Sequence, residues 1–155
     1  MVYNKKIKYS LIQLGKDISN FENKKIVIAS DLVSKVSEDC NFKEFKILKE
    51  FNGDELENTI CSHPLVNMGY KYDVPMLEGS FVTLEQGTGF VHSAPSHGPD
   101  DFNLCLKHGI KASNTINDGG LYTEDIPFFS GTHAPCVTPE PLQFCLSTRI
   151  VLPSP

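Results

Sequence analysis

Apolar and polar positions alternate near the start of the chain, with Ile7, Tyr9 and Leu11 set against Lys8 and Ser10. This two-residue period predicts a half-exposed strand that closes at Gly15. Lys25–Ala29, rich in β-branched residues, predicts a second short strand. Ser30 or Asp31 can then cap a helix, since Leu32, Val33 and Val36 share one face at helical spacing. Phe45, Ile47 and Phe51 restore the two-residue period, and Asn52-Gly53-Asp54 is turn chemistry. Further strands are expected at 59–62, around Val74 and at 81–84, with Gly79 and Gly87-Thr88-Gly89 as punctuation. Residues 90–94 read as a buried strand running into Pro95.

Gly98-Pro99-Asp100-Asp101 has the grammar of a helix start. Proline suits the first helical position because it has no N–H to leave unpaired, and acids complement the dipole in the first turn. Phe102, Cys105 and Leu106 would supply the apolar face, and Gly109 the stop. Asn117-Asp118-Gly119-Gly120 is a hairpin signal. The sum predicts a mixed α/β fold: a β-barrel-like core of short strands with two or three helices. It occupies residues 1–134, without internal repeats. Residues 135–155 form an atypical tail broken by Pro135, Pro139, Pro141, Pro153 and Pro155, in which Thr138-Pro139-Glu140 could start a short helix through Leu146.

Composition narrows the class. The 155 residues fit one domain, and 40% apolar with 21% charged content is ordinary for a globular protein. No apolar run approaches the ~20 residues that cross a bilayer, and Met-Val-Tyr-Asn-Lys-Lys is unlike a secretory signal. Five widely spaced cysteines, with no Cys-x-x-Cys pair, make a poor disulfide framework and a poor zinc site. Reduced thiols in a cytoplasm are expected. The net charge of −5 argues against a chain that grips a nucleic-acid backbone unaided, because phosphate neutralisation needs a basic face. If RNA is handled, another body holds most of it.

The chemistry concentrates in residues 87–102, where His92 and His97 sit close to Asp100 and Asp101. A strand-to-helix loop of this kind gathers side chains and free backbone N–H groups around a small polar ligand. Gly87-Thr88-Gly89 lacks the Gly-Lys-Ser/Thr ending of a phosphate loop, and neither Ser93 nor Ser96 sits in Gly-x-Ser-x-Gly. Cys105 with His108 could share a helix face as a nucleophile pair, although a buried apolar thiol explains Cys105 as well. A metal site from His92, His97 and Asp101 stays open, but its spacing matches no familiar zinc pattern.

Gly-Thr-Gly-x-Val-His-x-Ala-Pro-x-His-Gly-Pro-Asp-Asp-Phe resembles the editing-domain signature of bacterial-type isoleucyl-tRNA synthetases. The resemblance extends through His63-Pro64, Asp73-Val74-Pro75 and Val82-Thr83-Leu84 upstream, and Lys107-His108-Gly109 and Asp118-Gly119 downstream. It covers roughly residues 3–133. Valyl enzymes differ here, lacking the paired histidines and the Gly-Pro-Asp-Asp run. The resemblance implies hydrolysis of valine wrongly attached to the isoleucine tRNA, or of valyl-adenylate. These synthetases are themselves the general worked case, with one methylene worth about 1–3 kcal/mol and a second hydrolytic sieve added.

By that resemblance Asp101 binds the α-ammonium of the misacylated residue, and His92 lines the amino-acid pocket. His97 organises the loop and contacts the substrate, and Gly87, Thr88 and Gly89 form a tight turn that lets the backbone approach and bind the substrate. Asp100 keeps the plain role of a helix-start acid. The attacking water would be activated by the substrate's own ribose hydroxyl, since the motif holds no strong general base. The implied partners are the 3′ end of the misacylated tRNA and the rest of a synthetase; the implied state is a monomer without membrane contact, cofactor or metal.

Two departures follow. A threonine-rich segment that forms the other pocket wall in the family is not in the sequence, and the residues after Thr132 diverge. A weak or inactive hydrolase, unable to activate isoleucine, is therefore expected. The alternatives are a non-catalytic remnant or binding fragment, and an unrelated metal hydrolase.

Overall fold

Strand β2 (Lys8–Leu14) is hydrogen-bonded along both edges, antiparallel to β3 (Lys25–Ala29) and to β4 (Phe45–Asn52). The computed structural model describes residues 1–18, 21–85, 87–96, 98–134 and 149–151. On one face of this sheet Tyr9 lies beside its paired neighbours Ala29 and Phe51, all buried. On the other, Ser10, Ile12 and Leu14 are buried too, with Ile28 opposite Ser10. The simple alternation therefore needs correcting, because Ser10 is inside while Leu11 is only half-buried. A strand with neighbours on both edges and cover on both faces has no solvent side for the pattern to mark.

The cover includes Leu32, Val33, Val36 and Phe42, which join Ile12, Leu14 and Ile28 in one core. They come from a 3₁₀ turn (Ser30–Leu32), helix α1 (Val33–Asp39) and the residues after it. Neither Ser30 nor Asp31 caps the helix with its side chain. The Ser30 hydroxyl is instead hydrogen-bonded to that of Ser10, 2.8 Å away, tying the turn to the sheet.

β4 is present, yet Phe45 and Ile47 are exposed and only Phe51 reaches the core. A bulge explains the loss of pattern. Leu11 pairs with Lys49 and Ile12 with Ile47, so Leu48 has no partner and the facing alternates wrongly beyond it. Lys43, Lys46 and Lys49 lace this free edge, a charge pattern that discourages further strand pairing. The turn expected at Asn52 is a 3₁₀ turn (Gly53–Leu56), where the Glu55 carboxylate accepts the Asn52 N–H at 3.3 Å.

The strands expected at 59–62 and around Val74 are β5 (Ile60–Ser62) and β6 (Asp73–Pro75), which pair antiparallel. β8 (Arg149–Val151) pairs with the other edge of β5. The helix proposed through Leu146 lies outside the described residues. Residues 81–84 are not a strand: Val82 is buried, but in a turn closed by its N–H on Gly79. Two-residue strands too short to show a period, β1 (Val2–Tyr3) and β7 (Leu77–Glu78), pair in parallel instead. Among the described residues the three sheets stay separate, so the fold is mixed α/β without the closed barrel expected. Bulge, edge lysines and two-residue strands leave too little continuous ladder to close.

Tyr9 joins this scaffold to the chemistry-bearing loop. Its phenol accepts the Asn4 N–H at 3.1 Å and donates to the Gly89 carbonyl at 2.9 Å. Burial pushes the phenol pKa up, so it stays a donor. Tyr9→Phe strands both partners, and a loss of about 1–3 kcal/mol is expected, with the fold retained. Urea unfolding followed by circular dichroism measures it; an unchanged midpoint would show that the phenol ties nothing down.

Candidate functional site

The loop from Gly87 to Gly98 leaves the scaffold at a fixed point. Ala29 N–H donates to the Thr88 carbonyl at 2.9 Å, and Phe90 stacks on Tyr9 with ring centroids 4.7 Å apart. Gly89 has φ +80°, and a Cβ there would lie 2.4 Å from the Ala29 Cβ. Glycine is required twice over, by backbone conformation and by contact distance. Gly87 has φ +77° but open space around it. Gly87, Thr88 and Gly89 thus form the tight turn expected.

Immediately beyond, Val2 and Val91 exchange backbone hydrogen bonds of 2.7 and 3.0 Å. That single bridge is all the pairing residues 90–94 make, and Val91 and His92 are exposed. The expectation of a buried strand is corrected: the ladder has no second rung, and Pro95 could not donate to one. His92 stands at the exit of the bridge, exposed to solvent. His97 lies outside the described residues, and so does any reading that needs it, the His92–His97–Asp101 metal site included.

Helix α2 (Pro99–Lys107) starts as the sequence indicates, with Gly98 extended at the N-cap and Pro99 first in the helix. It ends in a Schellman motif: Ile110 N–H donates to Cys105 O at 2.9 Å, Gly109 N–H to Leu106 O at 3.0 Å. Its buried face is not the expected one. Cys105 is buried and Leu104 half-buried, while Phe102 is exposed and Leu106 is 61% exposed. The loop meets the helix at Cys105, where Ser93 Oγ lies 3.8 Å from Cys105 Sγ. Cys105 is therefore a packed thiol, and His108 at the C-cap is exposed.

Gly98 has no side chain to cap the α2 N-terminus, and among the described residues no side-chain cap is made there. Asp100 and Asp101 occupy this first turn, Asp100 exposed and Asp101 half-buried. One Asp101 carboxylate oxygen sits 3.2 Å from where a Cβ on Gly98 would be. The carboxylate folds back over the helix start, and the missing side chain at position 98 leaves room for it. Among the described residues, no group of three or more His, Cys, Asp or Glu is arranged to hold a metal ion. A groove of about 530 Å³, lined by residues including Leu14, Lys43 and Lys46, lies at the far end of the β2–β4 pair.

The chain is 56% identical over 133 residues to an isoleucine–tRNA ligase of Pelagibacter ubique, which covers 86% of this chain and 15% of that protein. The chain is homologous to a segment of the isoleucine–tRNA ligases. Ligases of Gluconobacter oxydans (38% over 136 residues, 86% of this chain and 14% of that protein) and Natranaerobius thermophilus (37% over 125 residues, 81% and 12%) are similar in the same way. The chain thus spans about one-seventh of the length of these ligases, 15% of the first. No family model matches. The crystal structure of GlLeuRS-CP1 shares the fold, with TM-score 0.51 over 71% of this chain and 43% of that one, at 19% identity. Among the described residues no helix is long and apolar enough to cross a membrane.

The sequence pattern missed Tyr9 and Ala29 as residues that position this ligase loop. Their only signal is their place on β-strands, with an unusually small residue at 29. Gly87→Ala meets only the left-handed backbone penalty, roughly 1–2 kcal/mol. Gly89→Ala adds a collision of about 1–3 kcal/mol, and Ala29→Gly in that background should recover part of it. Urea unfolding of the four proteins checks the order; equal losses at 87 and 89 would remove the close approach from the account.

Proposed function

We propose that this ligase segment is an editing hydrolase region that cleaves the ester of valine misattached to the isoleucine tRNA. The observation that carries the reading is Asp101: a half-buried carboxylate folded over an uncapped helix start, beside a loop pinned at Gly89. The α-ammonium of an aminoacyl ester suits that carboxylate, because a charge-assisted hydrogen bond fixes both position and orientation. His92, at the exit of the Val2–Val91 bridge, would on this reading line the side of the amino-acid site. The free N–H groups at the α2 start favour negative charge and suit the oxyanion that forms when water adds to the ester carbonyl. The ester C–O bond then breaks and the ribose oxygen takes up a proton. These groups supply binding and electrostatics, and the substrate's own neighbouring ribose hydroxyl orients the attacking water and relays its proton to the departing ribose oxygen. The reading needs no cofactor or metal; its partner is the 3′ end of the misacylated tRNA, presented by the rest of the ligase in the cytoplasm.

A second reading, a segment that binds without turnover, draws on the exposure of Val91, His92 and Phe102, which leaves the loop open on one side. Deacylation of valyl-tRNA by the chain alone, against the same segment grafted into a full-length isoleucine–tRNA ligase, separates the two. Weak or no turnover alone and robust turnover in the graft supports editing; none in either supports the second reading.

In the graft, Asp101→Asn should lower valyl-tRNA deacylation about 10- to 150-fold, the worth of a charged hydrogen bond of roughly 1.5–3 kcal/mol. Asp100→Asn should do much less. Near wild-type editing by the Asp101 variant would return this residue to a helix-start acid. His92→Ala, by opening the side of the pocket, should raise the rate on isoleucyl-tRNA relative to valyl-tRNA, and an unaltered ratio would reject the pocket role.

A further inference from the structure

Well away in sequence from residues 87–102, two loops bring aromatic rings together. His63 stacks on Tyr70 with centroids 4.7 Å apart and meets Tyr72 at 5.2 Å. Tyr70 Oη donates to the Pro127 carbonyl at 3.1 Å, joining this group to the hairpin that follows Asn117. There Tyr122 meets Phe129 at 5.6 Å, and Phe129 meets Phe128 at 5.0 Å. The rings form a connected surface, and much of it faces solvent: Tyr72 is 56% and Phe128 70% exposed, with Val66, Met68 and Ile116 exposed around them.

Phe128 also has φ +67°, a left-handed conformation that a bulky residue adopts only when its surroundings hold it there. Flanking turn bonds do so, Phe129 N–H to Pro127 O at 2.8 Å and Ser130 N–H to Ile126 O at 3.0 Å. The hairpin therefore presents its largest apolar side chain outward against the preference of its own backbone. A hydrophobic residue of this size, held out and uncovered in a contiguous patch, marks an interaction surface.

The charges decide the kind of partner. Residues 63–73 carry Lys71 and Asp73, which offset each other, and residues 112–134 carry Asp118, Glu124 and Asp125 and no lysine or arginine, so the balance is acidic. Aromatic rings that stack nucleic-acid bases come with basic residues for the phosphates, and this surface has the opposite sign. It suits a polypeptide with apolar side chains flanked by lysine or arginine. The chain matches 15% and 14% of the first two ligases, so most of such a polypeptide lies outside the matched segment and is available in cis.

We infer that the His63–Tyr70–Tyr72–Tyr122–Phe128–Phe129 surface is a docking face for another segment of the ligase polypeptide. The inference rests on the homology and is independent of the hydrolytic reading. Hydroxyl-radical footprinting compares oxidation of Tyr72 and Phe128 in the chain alone and in the full-length graft. Oxidation should fall at least about fivefold in the graft, as expected for rings passing from exposed to buried. Equal rates overturn the inference. Protection that appears only when tRNA is added makes the surface an RNA contact and overturns it, as does protection of the chain alone that grows with its concentration.

Phe128→Gly removes the side chain and the backbone strain together. The thermal midpoint of the chain alone should hold or rise, while Tyr72 in the graft should regain its free oxidation rate. A midpoint that falls equally in both proteins, with Tyr72 still protected, would make Phe128 an ordinary structural residue.

Discussion

How closely the Gly87-Thr88-Gly89 turn approaches β3 governs the rest of the site. Ala29 is small enough, and Gly89 bare enough, for the two backbones to touch. Only at that separation can the Ala29 N–H reach Thr88 O and the Tyr9 phenol reach Gly89 O. The Val2–Val91 bridge and the Phe90–Tyr9 stack depend on the same placement. These contacts are individually modest, worth about 1 kcal/mol each for a neutral hydrogen bond. They share one geometry, however, and a displacement that breaks one strains the others. The loop carrying His92 therefore starts from a fixed origin although His92 itself is exposed.

Much of this was legible in the sequence where the signal was local. Pro99, the two acids and Gly109 mark both ends of α2, because cap chemistry is written in residues adjacent to the cap. β2 announces itself by its two-residue period and β3 by β-branched content, and β5 and β6 fall where expected. The errors occurred where a neighbour distant in sequence decides. Which residues of β2 are buried depends on cover from Leu32, Val33, Val36 and Phe42. Phe45 and Ile47 fit the period, but β4 is an edge strand with a bulge, and no local rule reveals that. The α2 face differs from the expected one for a similar reason: Phe102 and Leu106 fit a core face, yet both are exposed while Cys105 is buried beside Ser93.

The chemistry itself was legible only through a motif. Nothing in periodicity separates a helix-start acid from a substrate ligand, and the structure does not bring His92 and Asp101 into one closed pocket. It gives each a defined mount, the Gly89 turn for one and the α2 start for the other. Exposed apolar residues on α2 and around Phe128 fit a segment whose homologues are far longer proteins. Such surfaces are unfavourable in isolation and ordinary once covered.

Position 98 lies directly beside Asp101 at the start of α2. Ser, Thr, Asp or Asn at an N-cap satisfies a first-turn N–H with its side chain, and glycine is also a common N-cap, costing only about a few tenths of a kcal/mol by comparison. Gly98 forgoes that bond, and its φ of −161° is extended backbone that any residue adopts, so conformation does not call for glycine. A Cβ there would lie 3.2 Å from one Asp101 carboxylate oxygen, so the carboxylate would have to shift slightly to admit it. Complementing the helix dipole, worth about 0.3–1 kcal/mol, asks only for a negative charge in the first turn, and Asp100 already supplies one. The helix gains little from a second acid folded over its own uncapped end. On the proposed editing reading, a ligand with an ammonium group near an ester carbonyl would use the carboxylate and the helix-start N–H groups together.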